Sequence, residues 1–117
     1  VVATQAMLYE AFDAAEELAG DIDVEIVSPR TLDPLDIDTI ADSVHKTGRA
    51  VVVDEPTLNA SAQSEIVSQI NEHAFWDLDA PIARLGVDNV PIPFSPPLEQ
   101  EVLPDRDDIV AEIRTLF

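Results

Sequence analysis

The 117-residue chain contains no cysteine. That excludes disulfide scaffolds, thiol nucleophiles and cysteine-ligated metals, and it fits an intracellular setting. Basic residues are scarce: Lys and Arg number 6, Lys46 being the only lysine, against 24 acidic residues, for a formal charge of -18. Phosphate binding draws on Lys and Arg to release counterions, so neither nucleic acid nor an anionic membrane surface is an expected partner. Glycine is nearly missing too, with only Gly20, Gly48 and Gly86. None belongs to a P-loop, and the first strand-to-helix turn, Thr4-Gln5-Ala6-Met7, has no glycine with which to approach a pyrophosphate. A dinucleotide site is therefore not expected. No apolar run approaches the roughly 20 residues of a membrane span, and the opening VVATQAML lacks the basic start of a signal peptide. These absences predict a soluble, cytoplasmic protein.

What is present is enough for one packed core. Hydrophobic residues make up 46% of the chain, and a domain of this size buries roughly two-thirds of its unfolded surface without needing disulfides or a metal. The acids lie between apolar positions all along the chain, unlike the blocks of a disordered acidic tail. Charge of one sign at this density repels itself and is relieved by screening, which predicts adaptation to a salt-rich, halophilic cytoplasm.

Periodicity lays out the elements. Val1 to Ala3 is a short strand, and Gln5 to Ala19 a helix whose inner stripe is Leu8, Ala11, Ala15 and Leu18. VEIV, residues 24–27, reads as a second strand ended by Pro29. The loop SPRTLDPLD then leads to Asp36, an N-cap for a helix from Ile37 to about Thr47 that Gly48 closes. Ala50 to Val53 is an all-apolar run suited to a central parallel strand covered on both faces. Ala62 to Ala74 reads as a third helix with Ala62, Ile66, Val67 and Ile70 inward, and Ile82 to Val87 as a last strand. The proline-rich segment 91–97 is expected to be extended. A final helix opens near Asp105 to Asp108, turns Ile109, Val110 and Ile113 inward, and closes on Leu116 and Phe117. Strict alternation predicts an α/β fold: a three-layer α/β/α sandwich around a mostly parallel, doubly wound sheet of about four strands, in one domain over residues 1–117.

Ligands of doubly wound sheets gather beyond the carboxyl ends of the strands. Asp54 and Glu55 stand there, where a receiver domain keeps its phospho-acceptor, but Thr4 stands where an acidic metal ligand would be needed. They are expected instead to cap the next segment or to bond to the Arg30 or Arg49 loops. His45 and His73 lie on polar helix sides without ligand partners at helical spacing. Ser61 and Ser64 have no neighbouring histidine base, and Phe75 and Trp76 read as core and hinge filling. Arg30, the first basic residue of the chain, is expected to pair with Asp54 or Glu55, or with a neighbouring subunit. No self-sufficient catalytic site is expected.

Four motifs in order, EIVSPRTLDPLD, SVHKTGRAVVVDEP, SEIVSQINEHAFWDLDAPIARLG and DNVPIPFSPPLEQEVLP, carry a family resemblance along the whole chain. The sequence resembles the carboxyl-terminal domain of the beta subunit of the thiamine-diphosphate-dependent component of 2-oxoacid dehydrogenases, the pyruvate or branched-chain type, within the transketolase carboxyl-terminal class. The resemblance implies a transketolase C-terminal-like fold in a multienzyme complex, and an edge strand and a pyrimidine-binding domain upstream of Val1. It implies thiamine diphosphate and Mg in the full enzyme but not on this domain. Implied partners are an alpha subunit, a second beta subunit, and the subunit-binding domain of the dihydrolipoyl acyltransferase. By the same resemblance Asp79, before Ala80-Pro81, and Phe117 with its carboxylate are the contacts to that basic domain. The chain departs from the family in residues 56–63, which lack the glycines usual there. A standalone acidic α/β interaction module, and a C-terminal domain of transketolase or deoxyxylulose phosphate synthase, are the alternative readings.

Overall fold

The computed structural model describes residues 1–117. Three parallel strands, β1 (Val2–Ala3), β2 (Val51–Thr57) and β3 (Ala83–Val87), lie in the order β1-β2-β3. Val2 stands opposite Val52, and Val53 opposite Leu85. The register slips between Val53 and Thr57, where Pro56 has no N–H for the ladder. Five helices surround the sheet: α1 (Met7–Leu18), α2 (Ile37–Thr47), α3 (Ala62–Ala74), α4 (Pro96–Gln100) and α5 (Arg106–Thr115).

β2 organises the core because its valines alternate. Val51 and Val53 face α1 and α5, together with Ala11, Leu18, Ile109 and Ile113. Val52 faces α2 and α3, together with Ile40, Val44, Ile66 and Ile70. Burial on both faces accounts for a strand with no polar alternation, and it makes the three layers of the expected transketolase C-terminal-like fold.

The expected strand at 24–27 is reduced to one parallel bridge, Val2 to Val27. Val27 N–H donates to the Val1 carbonyl at 2.9 Å and Ala3 N–H to the Val27 carbonyl at 3.0 Å. This segment still occupies the fourth position beside β1, so the chain reverses its direction of travel across the sheet between β1 and β2. Such a reversal is the switch point at which doubly wound sheets hold ligands.

Local signals explain the helix ends. The Asp36 carboxylate accepts from Thr39 N–H at 3.2 Å and opens α2; Gly48 closes it at φ 70°, in the left-handed region. In α5, Asp105 and Asp108 cap each other's backbone N–H groups in a capping box. α1 begins two residues later than expected because Gln5 has φ 49°, and its buried line is Met7, Ala11, Ala14 and Leu18, with Leu8 and Ala15 only half-buried. The proline-rich segment 91–97, expected to be extended throughout, instead enters α4 at Pro96, with Ser95 extended as N-cap and prolines in the first turn. Proline is tolerated there because first-turn N–H groups have no partner within the helix.

Candidate functional site

The two ends of the sheet differ in character. At the carboxyl end, Asp54 is only 4% exposed. Its carboxylate accepts from the Thr4 hydroxyl at 2.5 Å and from Glu55 N–H at 2.9 Å. It therefore bonds neither to Arg30 nor to Arg49: the expected pairing is replaced by one across the switch point, from β1 to β2. Behind it the fully buried Gln63 donates through Nε2 to the Leu85 carbonyl at 2.9 Å and the Asp54 carbonyl at 3.3 Å, joining β2 to β3. Gly86 leaves room for that amide, since a Cβ there would stand 2.6 Å from Gln63 Nε2. Arg84 donates to the Leu58 carbonyl at 3.1 Å and to Ser64 Oγ at 2.9 Å. Most polar groups at this end thus serve one another as structural ties, while Ser61 Oγ and Gln63 Oε1 are buried without a hydrogen-bond partner.

Arg30 is exposed and enters none of the ion pairs of the chain. Its loop is folded on itself: the Thr31 hydroxyl donates to the Pro34 carbonyl at 2.7 Å, and Leu32 bridges to Leu35. Asp54, taken by Thr4, does not reach this arginine. Glu55 is half-buried and forms no ion pair either.

At the amino end the structure gathers residues far apart in sequence around Arg49, which follows Gly48 and leads into β2. Asp79 N–H donates to the Gly48 carbonyl at 2.7 Å, and a Cβ on Gly48 would strike the Asp79 carboxylate. Glycine is required here for its positive φ, while the exposed Asp79 side chain is free to swing aside. Arg49 Nη1 lies 3.7 Å from Asp79 Oδ2, its Nε donates to the Leu116 carbonyl at 2.7 Å, and its guanidinium sits 4.3 Å from the centre of the Phe117 ring. A cation beside the last carbonyls of α5 also opposes the helix dipole. Asp79 and Phe117, named separately from the sequence, are in this way two arms of one cluster. Phe117 is 70% exposed, and beside it opens a shallow cavity of about 70 Å³ lined by Val1, Ile22, Val24 and Ile113.

Two further clasps flank the cluster. Lys46 of α2 pairs with Glu25, and that hydrogen bond, with a second from Ser43, holds the Glu25 carboxyl below its ordinary range. His45 Nδ1 lies 3.0 Å from Asp77 Oδ1, and the hydrogen bond to that carboxylate pushes the imidazole above its ordinary value. Next to Asp77 the expectation of core filling fails: Phe75 is 53% and Trp76 93% exposed. The cause is local. α3 ends at Ala74 and the chain tightens into a 3-10 turn over Phe75–Asp77, and both rings stand at positions that the spacing of Ile66, Ile70 and Ala74 already turns outward.

Sequence reasoning missed two members of these sites. Gln63 continues the buried spacing of Ile66, Ile70 and Ala74 one turn toward the start of α3, and that stripe could have found it. The sequence predicts Arg49 only as a partner for Asp54 or Glu55, and its actual partners, Asp79, Leu116 and Phe117, are set by tertiary structure.

The chain matches the family described as "Transketolase, C-terminal domain" over residues 1–109. It is 41% identical over 118 residues to "Pyruvate dehydrogenase E1 component subunit beta" of Bacillus subtilis (strain 168), covering 100% of this chain and 36% of that protein. It is 39% identical over 115 residues to the protein of the same name from Staphylococcus aureus (strain Mu50 / ATCC 700699), covering 97% and 35%. Among solved structures, "Split gene transketolase, inactive beta4 tetramer" superposes with a TM-score of 0.82 at 25% identity, over 98% of this chain and 36% of that one. The chain spans about a third of the length of these relatives, 36% and 35% of the two dehydrogenase subunits. It belongs to the transketolase C-terminal domain family.

Proposed function

We propose that this member of the transketolase C-terminal domain family is the carboxyl-terminal domain of the beta subunit of a thiamine-diphosphate-dependent 2-oxoacid dehydrogenase, and that it serves assembly and docking, not bond-making. The observation that carries the reading is the convergence of Asp79 and Phe117 on Arg49 in one exposed cluster. Identity near 40% to proteins named as pyruvate dehydrogenase beta subunits supports the parent activity, oxidative decarboxylation of a 2-oxoacid with acyl transfer to lipoamide. In that reading thiamine diphosphate and Mg are held by other parts of the enzyme, because this chain offers no phosphate cradle and its strand-end groups are tied to one another.

The docking partner is the basic subunit-binding domain of the dihydrolipoyl acyltransferase. Asp79 is suited to receive it: its side chain is 67% exposed, and Arg49 at 3.7 Å leaves its oxygens open to a second cation. Such charge pairs set orientation and association rate, while a buried aromatic supplies holding strength. Arg30, free of partners within the chain, is assigned to the contact with the alpha subunit or the second beta subunit. The surplus of acid suits a salt-rich cytoplasm, where screening relieves the repulsion.

Calorimetric titration with the acyltransferase subunit-binding domain tests the docking reading. Asp79→Ala and deletion of Phe117 are each expected to weaken binding, Asp79→Ala chiefly through a slower association. Unchanged affinity for both variants would sink the assignment.

A further inference from the structure

We propose that the docking surface continues beyond Asp79 into an apolar groove that seats an apolar side chain of the same basic partner, with Trp76 as its anchor. This rests on the docking reading above and extends it to a site which the Asp79 and Phe117 contacts do not include.

The groove, about 640 Å³, is lined by Val67, Phe75, Trp76, Leu78, Pro81 and Ile82, with Asp79 also among its lining residues. Asp79 therefore belongs both to the groove and to the Arg49 cluster, and the two form one continuous surface. Trp76 is the only tryptophan of the chain, and at 93% exposure its indole has almost no cover from its own fold. It is nonetheless held in place. The Phe75 ring packs against it edge-to-face at 5.1 Å, Leu78 N–H closes the 3-10 turn onto the Phe75 carbonyl at 3.3 Å, and His45 fixes Asp77 at 3.0 Å. A large aromatic ring that is exposed yet preorganised, beside an apolar groove, has the composition and setting of an interface anchor.

Charge selects the occupant. The carboxylates at this edge belong to Asp77 and Asp79, and the only nearby basic side chains, His45 and Arg49, are engaged with them. A second copy of this chain would bring to these carboxylates a surface drawn from only 6 basic residues against 24 acidic ones, a poor electrostatic match for this edge. A domain with an apolar side chain flanked by Lys or Arg satisfies both parts of the surface at once.

Because Trp76 is the sole tryptophan, its fluorescence reports the groove directly. The acyltransferase subunit-binding domain, prepared free of tryptophan, is titrated into the chain at fixed KCl while binding heat, Trp76 emission and acrylamide quenching are followed. The expected result is binding heat accompanied by a blue shift of the emission and a several-fold drop in quenching. Trp76→Ala should weaken binding by about thirtyfold, mainly through faster dissociation and with its salt dependence unchanged. Trp76→Phe should restore most of the affinity. Asp79→Ala should flatten the salt dependence. Trp76 carries no core packing, so circular dichroism of its variants should match the parent chain. Binding heat with unaltered Trp76 emission would overturn the groove while leaving the docking reading intact. An absence of both binding heat and any change in Trp76 emission, at two temperatures, would overturn both. A blue shift that grows with chain concentration, without the partner, would assign the groove to self-contact and overturn the proposal.

Discussion

Replacing Arg49 with methionine tests whether the amino-end cluster is held by one side chain. The ion pair with Asp79 is 3.7 Å long and faces solvent on the acid's side, and exposed pairs of that kind contribute about 0–1 kcal/mol. The hydrogen bond from the guanidinium to the Leu116 carbonyl, at 2.7 Å, has a charged donor and is worth about 1.5–3 kcal/mol. The approach to the Phe117 ring at 4.3 Å adds about 0.5–1 kcal/mol at an exposed site. Methionine keeps the apolar stem, so packing changes little. The three contacts share one side chain and are not additive, so the expected loss is about 2–3 kcal/mol. With an m-value of about 1.5 kcal/mol per molar urea, the midpoint should fall by about 1.5 M at constant KCl. Hydrogen exchange at Leu116 and Phe117 should quicken before the rest of the chain is affected, because those residues lose their tie to β2. Arg49→Lys keeps the charge but not the flat fork, and should lose roughly half as much. A midpoint shift below about 0.3 M for methionine, or a lysine variant equal to the parent, would refute the argument that guanidinium geometry holds the cluster.

Thr4→Val is nearly isosteric and leaves the buried Asp54 carboxylate without its hydroxyl donor, so urea unfolding should show a loss of about 1.5–3 kcal/mol; a loss under about 0.5 kcal/mol would mean that the tie across the switch point is not structural. His45 is raised by its hydrogen bond to Asp77 from an ordinary value of 6.5, so the folded state binds this proton more tightly than the unfolded state does. The stabilisation is fully present below 6.5 and is lost as pH rises through the raised value. Thermal midpoints of the parent and His45→Gln should therefore differ near about pH 5.5 and coincide near about pH 8.5, and a gap that widened with pH would reverse the sign and refute the pairing. The melting midpoint should also rise as KCl increases from about 0.1 M to about 1 M, over which the screening length falls from ~10 Å to ~3 Å. A midpoint indifferent to KCl would remove self-repulsion as a determinant of this fold.

What the sequence reveals follows from how local each signal is. α2 can be bounded by eye because Asp36 and Gly48 punctuate it chemically, and α3 because its apolar spacing runs unbroken from its start to Ala74. The valines of β2 announce a strand covered on both faces. Residues 24–27 have equal strand character, but a strand is defined by its pairing, and they meet β1 at a single bridge. Trp76 departs from the expectation of core filling for a reason the sequence does carry: it stands two residues past Ala74, off the spacing of the buried stripe, where even a continued helix would turn it outward. Asp79 and Phe117 were legible through family resemblance, but not their meeting. The guanidinium that joins them comes from the start of the central strand, and only the tertiary fold sets that distance.

The placement of the few cations bears on how a chain with 24 acids and 6 basic residues stays folded. Lys46 joins α2 to the 24–27 segment through Glu25. Arg49 joins the start of β2 to the end of α5, and Arg84 joins β3 to the loop and helix that follow β2. Arg106 reaches Glu17 of α1 at 3.9 Å, and Arg114 reaches Asp21 just beyond α1 at 3.8 Å. Singly, such surface pairs are weak. Their common feature is position, since each lies where two elements meet, and all but Arg84 also pair there with a carboxylate. Arg30 alone among the six has no such seam to close, and its exposed loop is already fastened by Thr31 and Pro34 without it. In a chain that places every other cation at a junction of its own elements, Arg30 is the one cation left over, and that is what supports its proposed contact with another subunit.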